Sequence, residues 1–214
     1  MNRRALTLGT GTLALGVFGF GYWLYPRGEL AGPAATGRND TYVRPHSPVI
    51  GKADARVTIV EFFDPSCEAC RGFHPILGQI LARHPEDVRL VLRYAPFHQG
   101  SDEAVRILEA ARLQGRFEQV LDALFARQPE WAAHGAPNLA TAWRIAGAAG
   151  LDLGRAKEDG RRPQVDRVLQ ADTADLQALQ VRQTPTFFVN TRPLLSFGPR
   201  QLYELILREL DAQR

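Results

Sequence analysis

Hydrophobic residues occur along the chain in two different periods, which together predict an order of strands and helices. Residues 57–63 (VTIVEFF) form a β-branched and aromatic run, and residues 88–94 (VRLVLRY) alternate, so both are typical of strands. Strand character returns at Thr186–Val189, and a further short strand is predicted around Pro193–Ser196. These strands provide the sheet of the predicted domain.

Helical periodicity fills the stretches between those strands. A first helix is predicted from Cys67 to about Arg83, and a last one over Arg200–Leu210 with its leucines on one face. Between the second and third strands the predicted helices are Asp102–Gln114, Phe117–Ala126, Leu139–Ala149 and Gln164–Leu179. Strands that are separated by helices in this way predict an α/β sheet with a helical insert.

The N-terminus has a different character from the rest of the chain. Arg3 and Arg4 precede an uncharged apolar run over residues 5–24, and about 20 such residues can cross a bilayer as a helix. Residues 1–25 are interpreted as a membrane anchor, with a cleaved signal or a twin-arginine signal as alternatives. Residues 26–46 are rich in Pro and Gly and are predicted to be a linker.

Composition and charge add limits to this picture. The 214 residues are 45% hydrophobic and 23% charged, which excludes a disordered or collagen-like chain. The length predicts one to two domains. The 26 basic and 23 acidic residues give a net charge of +3 and form no basic stripe, so no nucleic-acid partner is expected.

Cys67 and Cys70 are the two cysteines of the chain, which rules out a scaffold held together by several disulfides. The Cys-Glu-Ala-Cys segment follows a predicted strand and begins a predicted helix. Free backbone N–H groups and the positive end of the helix dipole favour a thiolate at such a position. Cys67 is therefore predicted to be an exposed nucleophile, and Cys70, one turn further in, the resolving cysteine.

The cysteine pair has three other interpretations, which are a structural disulfide, two inert buried thiols and a metal site. A structural disulfide across so short a loop would contribute only about 2 kcal/mol, and inert buried thiols are unusual in an exported domain. Zinc would need four ligands, whereas copper(I) needs fewer. A copper(I)-binding or carrier module that uses Cys67, Cys70 and His74 is the alternative from another functional class.

Two segments and their spacing carry a resemblance to a known family. Residues 61–70 (EFFDPSCEAC) and 181–190 (VRQTPTFFVN) are similar to the active-site segment and the cis-proline loop of the thioredoxin superfamily. The separation of 115 positions from Cys70 to Pro185 is similar to that produced by the helical insert of its DsbA-like branch. The resemblance covers nearly all of residues 47–210, with the insert at about 100–179.

The resemblance implies a thioredoxin fold with an inserted helical domain and an extracytoplasmic thiol–disulfide oxidoreductase. The expected location is the bacterial periplasm or the exterior of the cell envelope, with a tether to the inner membrane. No cofactor is expected, because the dithiol itself carries two electrons. The expected partners are cysteine-containing exported proteins and a redox partner that recharges the dithiol. A monomer is expected, and oxidase, reductase and isomerase directions are not separated.

Thr184-Pro185 is the second element that the resemblance places at the site. It implies a cis peptide bond beside Cys67, and X-Pro bonds are the kind that adopt cis at low cost. The backbone of Thr184 could then pair with an incoming peptide as an added strand. The alternative is a trans proline at the first position of a strand.

Three further residues are expected to adjust the thiol chemistry. Glu61 shares a face of its strand with apolar residues, so it should be partly buried with a raised pKa and could relay the proton of Cys70. Glu68 and Ala69 stand where strong oxidases of the branch tend to carry Pro-His. The charge of Glu68 is expected to raise the pKa of Cys67 and to make the couple less oxidising.

Overall fold

The protein was examined as a computed structural model that describes residues 41–133 and 137–213. The predicted anchor or signal over residues 1–25 lies outside the described residues. Residues 26–40 of the predicted linker lie outside them as well. Among the helices of the described ranges, none combines the length and the apolar character needed to cross a membrane.

The sheet contains five strands in the described part of the chain: β1 (Val49–Ile50), β2 (Val57–Phe63), β3 (Val88–Tyr94), β4 (Thr186–Val189) and β5 (Arg192–Pro193). Their spatial order is β1-β3-β2-β4-β5, so β2 is central. β2 and β3 are parallel, whereas β1, β4 and β5 each pair antiparallel with a neighbour. All seven residues of β2 are buried, as expected for a strand that is covered on both faces.

Eight helices complete the described fold. They are α1 (Glu68–Arg83), α2 (Ser101–Leu113), α3 (Phe117–Ala126), α4 (Gln128–Trp131), α5 (Leu139–Ala148), α6 (Leu153–Asp159), α7 (Pro163–Ala178) and α8 (Pro199–Ala212). The larger core joins one face of the sheet to α1, α8 and the helices of the insert. On the opposite face Val60, Phe62 and Phe188 pack with Leu176 of α7 and with Tyr42.

A buried ionic cluster joins α7 to β3 on that second face. We call Arg44, His46, Arg93, Asp172 and Asp175 the arginine–aspartate cluster. Nη2 of Arg93 donates to Asp172 Oδ1 at 2.8 Å and to Asp175 Oδ2 at 2.5 Å, and the Arg93 side chain has no exposed surface. Arg44 donates to both carboxylate oxygens of Asp175 at 2.8 and 2.6 Å. The cluster ties the segment before β1 to the domain.

The predicted elements agree well with those observed where the hydrophobic period is long. β2, β3, β4 and α3 have the predicted bounds, and the other predicted helices differ by one or two residues at their ends. The predicted strand around Pro193–Ser196 is instead Arg192–Pro193, because the tight turn at Asn190 (φ +57°) brings the chain back into pairing early. β1, α4 and α6 were not predicted, since two to seven residues carry little periodic signal.

Candidate active site

Cys67 lies at the junction between the central strand and α1. The loop Asp64-Pro65-Ser66 leaves β2, and the N–H of Cys67 closes a turn by donating to the carbonyl of Asp64 at 3.0 Å. Cys67 is the N-cap residue of α1, with extended backbone angles. An N-cap side chain normally accepts hydrogen bonds from the first free N–H groups of its helix, and here that side chain is a thiol.

Both sulfurs are reduced, and both cysteines are largely buried. Cys67 keeps 6% of its surface exposed and Cys70 keeps 1%, so the predicted order of exposure is confirmed. Cys67 is less exposed than predicted, because it packs in the larger core and the carbonyl of Thr184 lies 3.3 Å from its sulfur. A small opening to solvent remains at Cys67 alone.

The two thiols have opposite acidities. The hydrogen bond from the Cys70 thiol is the largest influence on Cys67 and lowers its pKa to about 5, although burial acts in the other direction. The side chain of Thr184 and the backbone N–H groups of Cys70 and Ala69 add to the lowering. Burial, together with its bond to Cys67, raises the pKa of Cys70 far above the ordinary value. One thiolate is therefore available near neutral pH, and it belongs to Cys67.

The effect expected of Glu68 is not the one that governs this thiol. Glu68 is expected to raise the pKa of Cys67 relative to a Pro-His sequence, and this contribution stays a prediction. The side chain of Glu68 is exposed to solvent, where water screens its charge, as is the side chain of Ala69. The hydrogen bonds at the start of α1 lower the pKa of Cys67, as predicted for a thiol at a helix start.

Glu61 lies in the middle of β2, between β3 and β4 in the sheet. It is 3% exposed, and its Oε1 has no hydrogen-bond partner within the described residues. Burial raises its pKa to about 8, and the nearby charge of Cys67 contributes to the increase. The prediction of a buried carboxylate with a raised pKa is confirmed, and its role in proton transfer stays a prediction.

The Thr184-Pro185 peptide bond is cis, as predicted. When protonated, the Cys67 thiol donates to the carbonyl of Thr184 at 3.3 Å. The loop that begins β4 therefore touches the sulfur, although the two segments are far apart in sequence. Pairing of Thr184 with a substrate backbone stays a prediction.

Several polar residues surround the active-site loop, and sequence reasoning missed Asp64, Ser66 and Ser101 among them. The carboxylate of Asp64 is fully buried, accepts from the N–H of Ser66 at 2.8 Å and lies 2.8 Å from Nδ1 of His98. Ser101, the first residue of α2, donates from its hydroxyl to that of Ser66 at 2.7 Å. Only the position of Asp64 directly after a strand could have indicated it, because its partners come from another part of the chain.

Gln128, the first residue of α4, is a further polar residue at the loop. Its Nε2 donates to the carbonyl of Pro65 at 2.9 Å and to that of Cys67 at 3.0 Å. Two residues of the helical insert, Ser101 and Gln128, thus form hydrogen bonds with the active-site loop.

No group of three or more His, Cys, Asp or Glu side chains within residues 41–133 and 137–213 is arranged to hold a metal ion. His74, the optional third ligand of the copper(I) alternative, lies 2.7 Å from Asp122 Oδ1 through its Nε2. Its ring also packs against Phe125, with ring centroids 5.0 Å apart. These contacts direct the imidazole to the helical insert.

The arrangement is suited to two-electron chemistry at sulfur. A thiolate at Cys67 can attack a disulfide, and Cys70 can later attack the mixed disulfide once it loses its proton. Glu61, with a pKa of about 8, exchanges a proton near neutral pH.

Comparison with curated proteins finds relatives that are much longer than this chain. It is 33% identical over 183 residues to Na(+)/H(+) antiporter NhaA 1 of Mycolicibacterium gilvum, a match that covers 80% of this chain and 28% of that protein. It is 35% identical over 146 residues to Na(+)/H(+) antiporter NhaA of Herminiimonas arsenicoxydans, covering 67% of this chain and 22% of that protein. The chain spans less than a third of the length of these relatives.

Solved structures match over nearly their whole length. A thioredoxin-like oxidoreductase from Silicibacter pomeroyi is 32% identical with a TM-score of 0.73, covering 82% of this chain and 99% of that one. Oxidised BdbD from Bacillus subtilis is 26% identical with a TM-score of 0.68, covering 77% of this chain and 93% of that one. Wolbachia pipientis alpha-DsbA1, at 15% identity and a TM-score of 0.68 over 79% of this chain and 96% of that one, supports the fold alone.

The family comparison agrees with the geometry of the site. A family model described as Thioredoxin matches residues 44–206, which include both cysteines and the cis-proline loop. The DsbA-like resemblance is confirmed by the structural neighbours, and the fold is that of thiol–disulfide oxidoreductases. The chain therefore belongs to the thioredoxin family, within which it has the DsbA-like form of the fold.

Proposed function

We propose that this protein is an extracytoplasmic oxidoreductase that exchanges disulfides with cysteine-containing exported proteins through Cys67 and Cys70. The observation that carries the proposal is the placement of the Cys67 thiol at the N-terminus of α1, in contact with the Thr184 carbonyl. That position combines a favoured thiolate with a backbone edge where a peptide can lie.

The exchange is balanced in atoms and electrons. The Cys67 thiolate attacks one sulfur of a substrate disulfide, forms a mixed disulfide and releases the other substrate sulfur as a thiolate. Cys70 then passes its proton to Glu61 in the fraction of molecules in which that carboxyl group is ionised, which is the minor form below its pKa of about 8. The Cys70 thiolate attacks the sulfur of Cys67, and the second substrate thiolate is expelled. The substrate gains two electrons and the protein is left with a Cys67–Cys70 disulfide. The reverse sequence oxidises a substrate dithiol, and the redox partner that recharges the site sets the direction.

Ion transport is not part of this proposal. The antiporter relatives match the chain over less than a third of their own length, so their named activity belongs to those whole proteins.

We propose an envelope location, which is supported by the apolar segment over residues 5–24 behind Arg3 and Arg4. The predicted linker ends before residue 46, because Tyr42, Arg44 and His46 pack on the domain. A monomer tethered by the apolar segment and by residues 26–40 of the predicted linker completes the proposal.

The function is tested with the full-length chain, which is assayed for reduction of insulin disulfides by dithiothreitol and for equilibrium with glutathione buffers. Turnover is expected to disappear in Cys67→Ser, whereas Cys70→Ser should accumulate mixed disulfides that gel electrophoresis under non-reducing conditions detects. Copper(I) competition against a chelator is measured in parallel. Stoichiometric copper retention without disulfide turnover would favour the copper(I) module and overturn the proposal.

Location is tested separately by fusing a phosphatase that is active only after export to the C-terminus of the full chain. Phosphatase activity that remains with the membrane fraction is expected. An inactive but stable fusion would contradict the extracytoplasmic location and leave the thiol chemistry to be judged by the first assay.

A further inference from the structure

We propose that Gln128 is a positioning residue for the Cys67 thiol and acts through the backbone of the active-site loop, residues 64–67. The inference deepens the proposed disulfide exchange and rests on it. Gln128 belongs to a four-residue helix of the insert, is 1% exposed and touches the loop from outside the thioredoxin sheet.

The contact made by Gln128 spans the loop. A single amide group donates to the carbonyls of Pro65 and Cys67, which lie on either side of Ser66. Both hydrogen bonds are near the usual length for N–H to carbonyl contacts. One side chain therefore restrains two backbone carbonyl groups, two residues apart, at the start of α1.

The orientation of the Gln128 amide is set by its neighbours. Both facing groups are carbonyl acceptors, so the NH2 end must face the loop and Oε1 must face away. Oε1 is buried and has no hydrogen-bond partner within the described residues. An unpartnered buried acceptor is destabilising, so a packing role alone does not account for a glutamine at this position.

The restrained carbonyl is directly connected to the groups that stabilise the thiolate. The carbonyl of Cys67 also accepts from the N–H of Arg71 at 3.1 Å and so begins the first turn of α1. The N–H groups of Ala69 and Cys70, which lower the pKa of Cys67, belong to that same turn. Fixing the peptide plane after Cys67 therefore fixes the sulfur relative to these donors.

Gln128 also acts on charge near the sulfur. The carbonyl oxygens of Pro65 and Cys67 carry partial negative charge close to a thiolate, and the amide protons of Gln128 offset it. Without the amide, these buried dipoles would be less compensated and the loop would be less restrained. Both changes disfavour the thiolate, so they should raise the pKa of Cys67 and shift the couple toward the disulfide.

A second contact restrains the same loop independently. Ser101 donates to Ser66, whose N–H in turn donates to the buried carboxylate of Asp64. Because Ser101 begins α2 and Gln128 begins α4, the loop is held from two separate helices of the insert. Removal of the Ser101 hydroxyl is expected to act in the same direction as loss of Gln128, with a smaller effect.

The experiment uses Gln128→Leu in the full-length reduced protein, with the Cys67 thiolate followed by its ultraviolet absorbance during a pH titration. The pKa is expected to rise by about one unit, which corresponds to about a tenfold loss of thiolate below that pKa. The equilibrium with glutathione should shift by up to about tenfold toward the protein disulfide.

The matched control is Ile145→Ala on α5, which opens the buried core of the insert without removing a hydrogen bond. It should lower the melting temperature and leave the Cys67 pKa unchanged. A folded Gln128→Leu protein with the wild-type pKa would overturn the inference, as would an equal shift in both variants. If Gln128→Leu does not fold, Gln128→Met decides, because methionine is of similar length and flexible but lacks the amide, and an unchanged pKa in that variant overturns the inference.

This measurement is independent of the proposed function. Thiolate absorbance needs no substrate, so it reports on Gln128 even in a protein that fails to reduce insulin. Wild-type protein without turnover would contradict the oxidoreductase proposal, whereas normal turnover with an unmoved pKa in the variants would contradict the Gln128 inference alone.

Discussion

Two buried carboxylate sites lie on opposite faces of the same sheet and hold their protons differently. Glu61 of β2 faces the core shared with α1, and its Oε1 lacks a hydrogen-bond partner within the described residues. The carboxylates of the arginine–aspartate cluster lie on the other face, where Arg93 and Arg44 donate to them. Burial is similar at the two sites, and the difference lies in the partners.

The difference shows what decides the protonation of a buried acid. Burial alone would raise the pKa of Asp175, but hydrogen bonds from Arg44 and Arg93 outweigh it and leave the pKa below the ordinary value. At Glu61 no cation offsets burial, and the pKa rises to about 8. A paired carboxylate is a permanent charge that holds elements together, whereas an unpaired one can take up and release a proton near neutral pH.

The largest expected effect comes from removing the cation of the paired site. Arg93→Met leaves two buried aspartates with less compensation, so the free energy of unfolding should fall by about 3–5 kcal/mol. Urea denaturation at neutral pH, followed by circular dichroism, measures the change.

Arg89→Met is the control for Arg93→Met, because Arg89 lies on the same strand and donates to a neutral hydroxyl, that of Thr58. It should lower stability by about 1 kcal/mol. Equal losses in the two variants would mean that charge pairing is not what distinguishes the arginine–aspartate cluster.

Replacing the unpaired carboxyl group of Glu61 should raise the free energy of unfolding, whereas Arg93→Met should lower it. Between its ordinary pKa of 4.5 and its folded pKa of about 8, Glu61 holds a proton in the folded state that it loses on unfolding. Stability therefore falls as pH rises through this window. Glu61→Gln should stabilise the reduced protein by about 3 kcal/mol at pH 7, with little gain near pH 4. Urea denaturation at both pH values measures this.

The same variant should slow disulfide exchange by about 10²-fold, because Cys70 loses its proton acceptor. Stopped-flow release from a mixed disulfide measures this rate.

Glu109→Gln is the matched control for the stability of Glu61→Gln, since Glu109 is fully buried but bonded to Tyr94 and Arg112. It should destabilise the protein, and a loss of stability in Glu61→Gln as well would contradict the distinction between the two sites.

The smallest expected effect concerns the edge of the paired site. Arg44 is partly exposed, so Arg44→Ala should lower the free energy of unfolding by only about 1 kcal/mol.

In the Arg44→Ala protein the rate of Cys67 alkylation should remain half-maximal near pH 5, because thiolate forms above that pKa and Arg44 lies on the other face of the sheet. A midpoint near the ordinary value of 9.0 would contradict the lowered thiol pKa.

Local patterns predicted much of the site. A β-branched strand followed by Cys-x-x-Cys at a helix start located Cys67 and Cys70, and the period of two along β2 predicted the burial of Glu61. Thr184-Pro185 came from resemblance and was confirmed as cis. The lowered pKa of Cys67 agrees with the thiolate that a helix start favours, whereas the bond from the Cys70 thiol that contributes most to it is not visible in the sequence.

Strand and helix periods, the thiol pair at a helix start and the lone acid on an apolar strand face follow from the order of residues, since each depends on near neighbours along the chain. The bond from Gln128 to the Cys67 carbonyl, the bond from Ser101 to Ser66 and the contact between the Cys67 thiol and the Thr184 carbonyl arise only on folding. They depend on packing between distant segments, and hydrogen-bond distance is a property of three-dimensional position that no local period encodes.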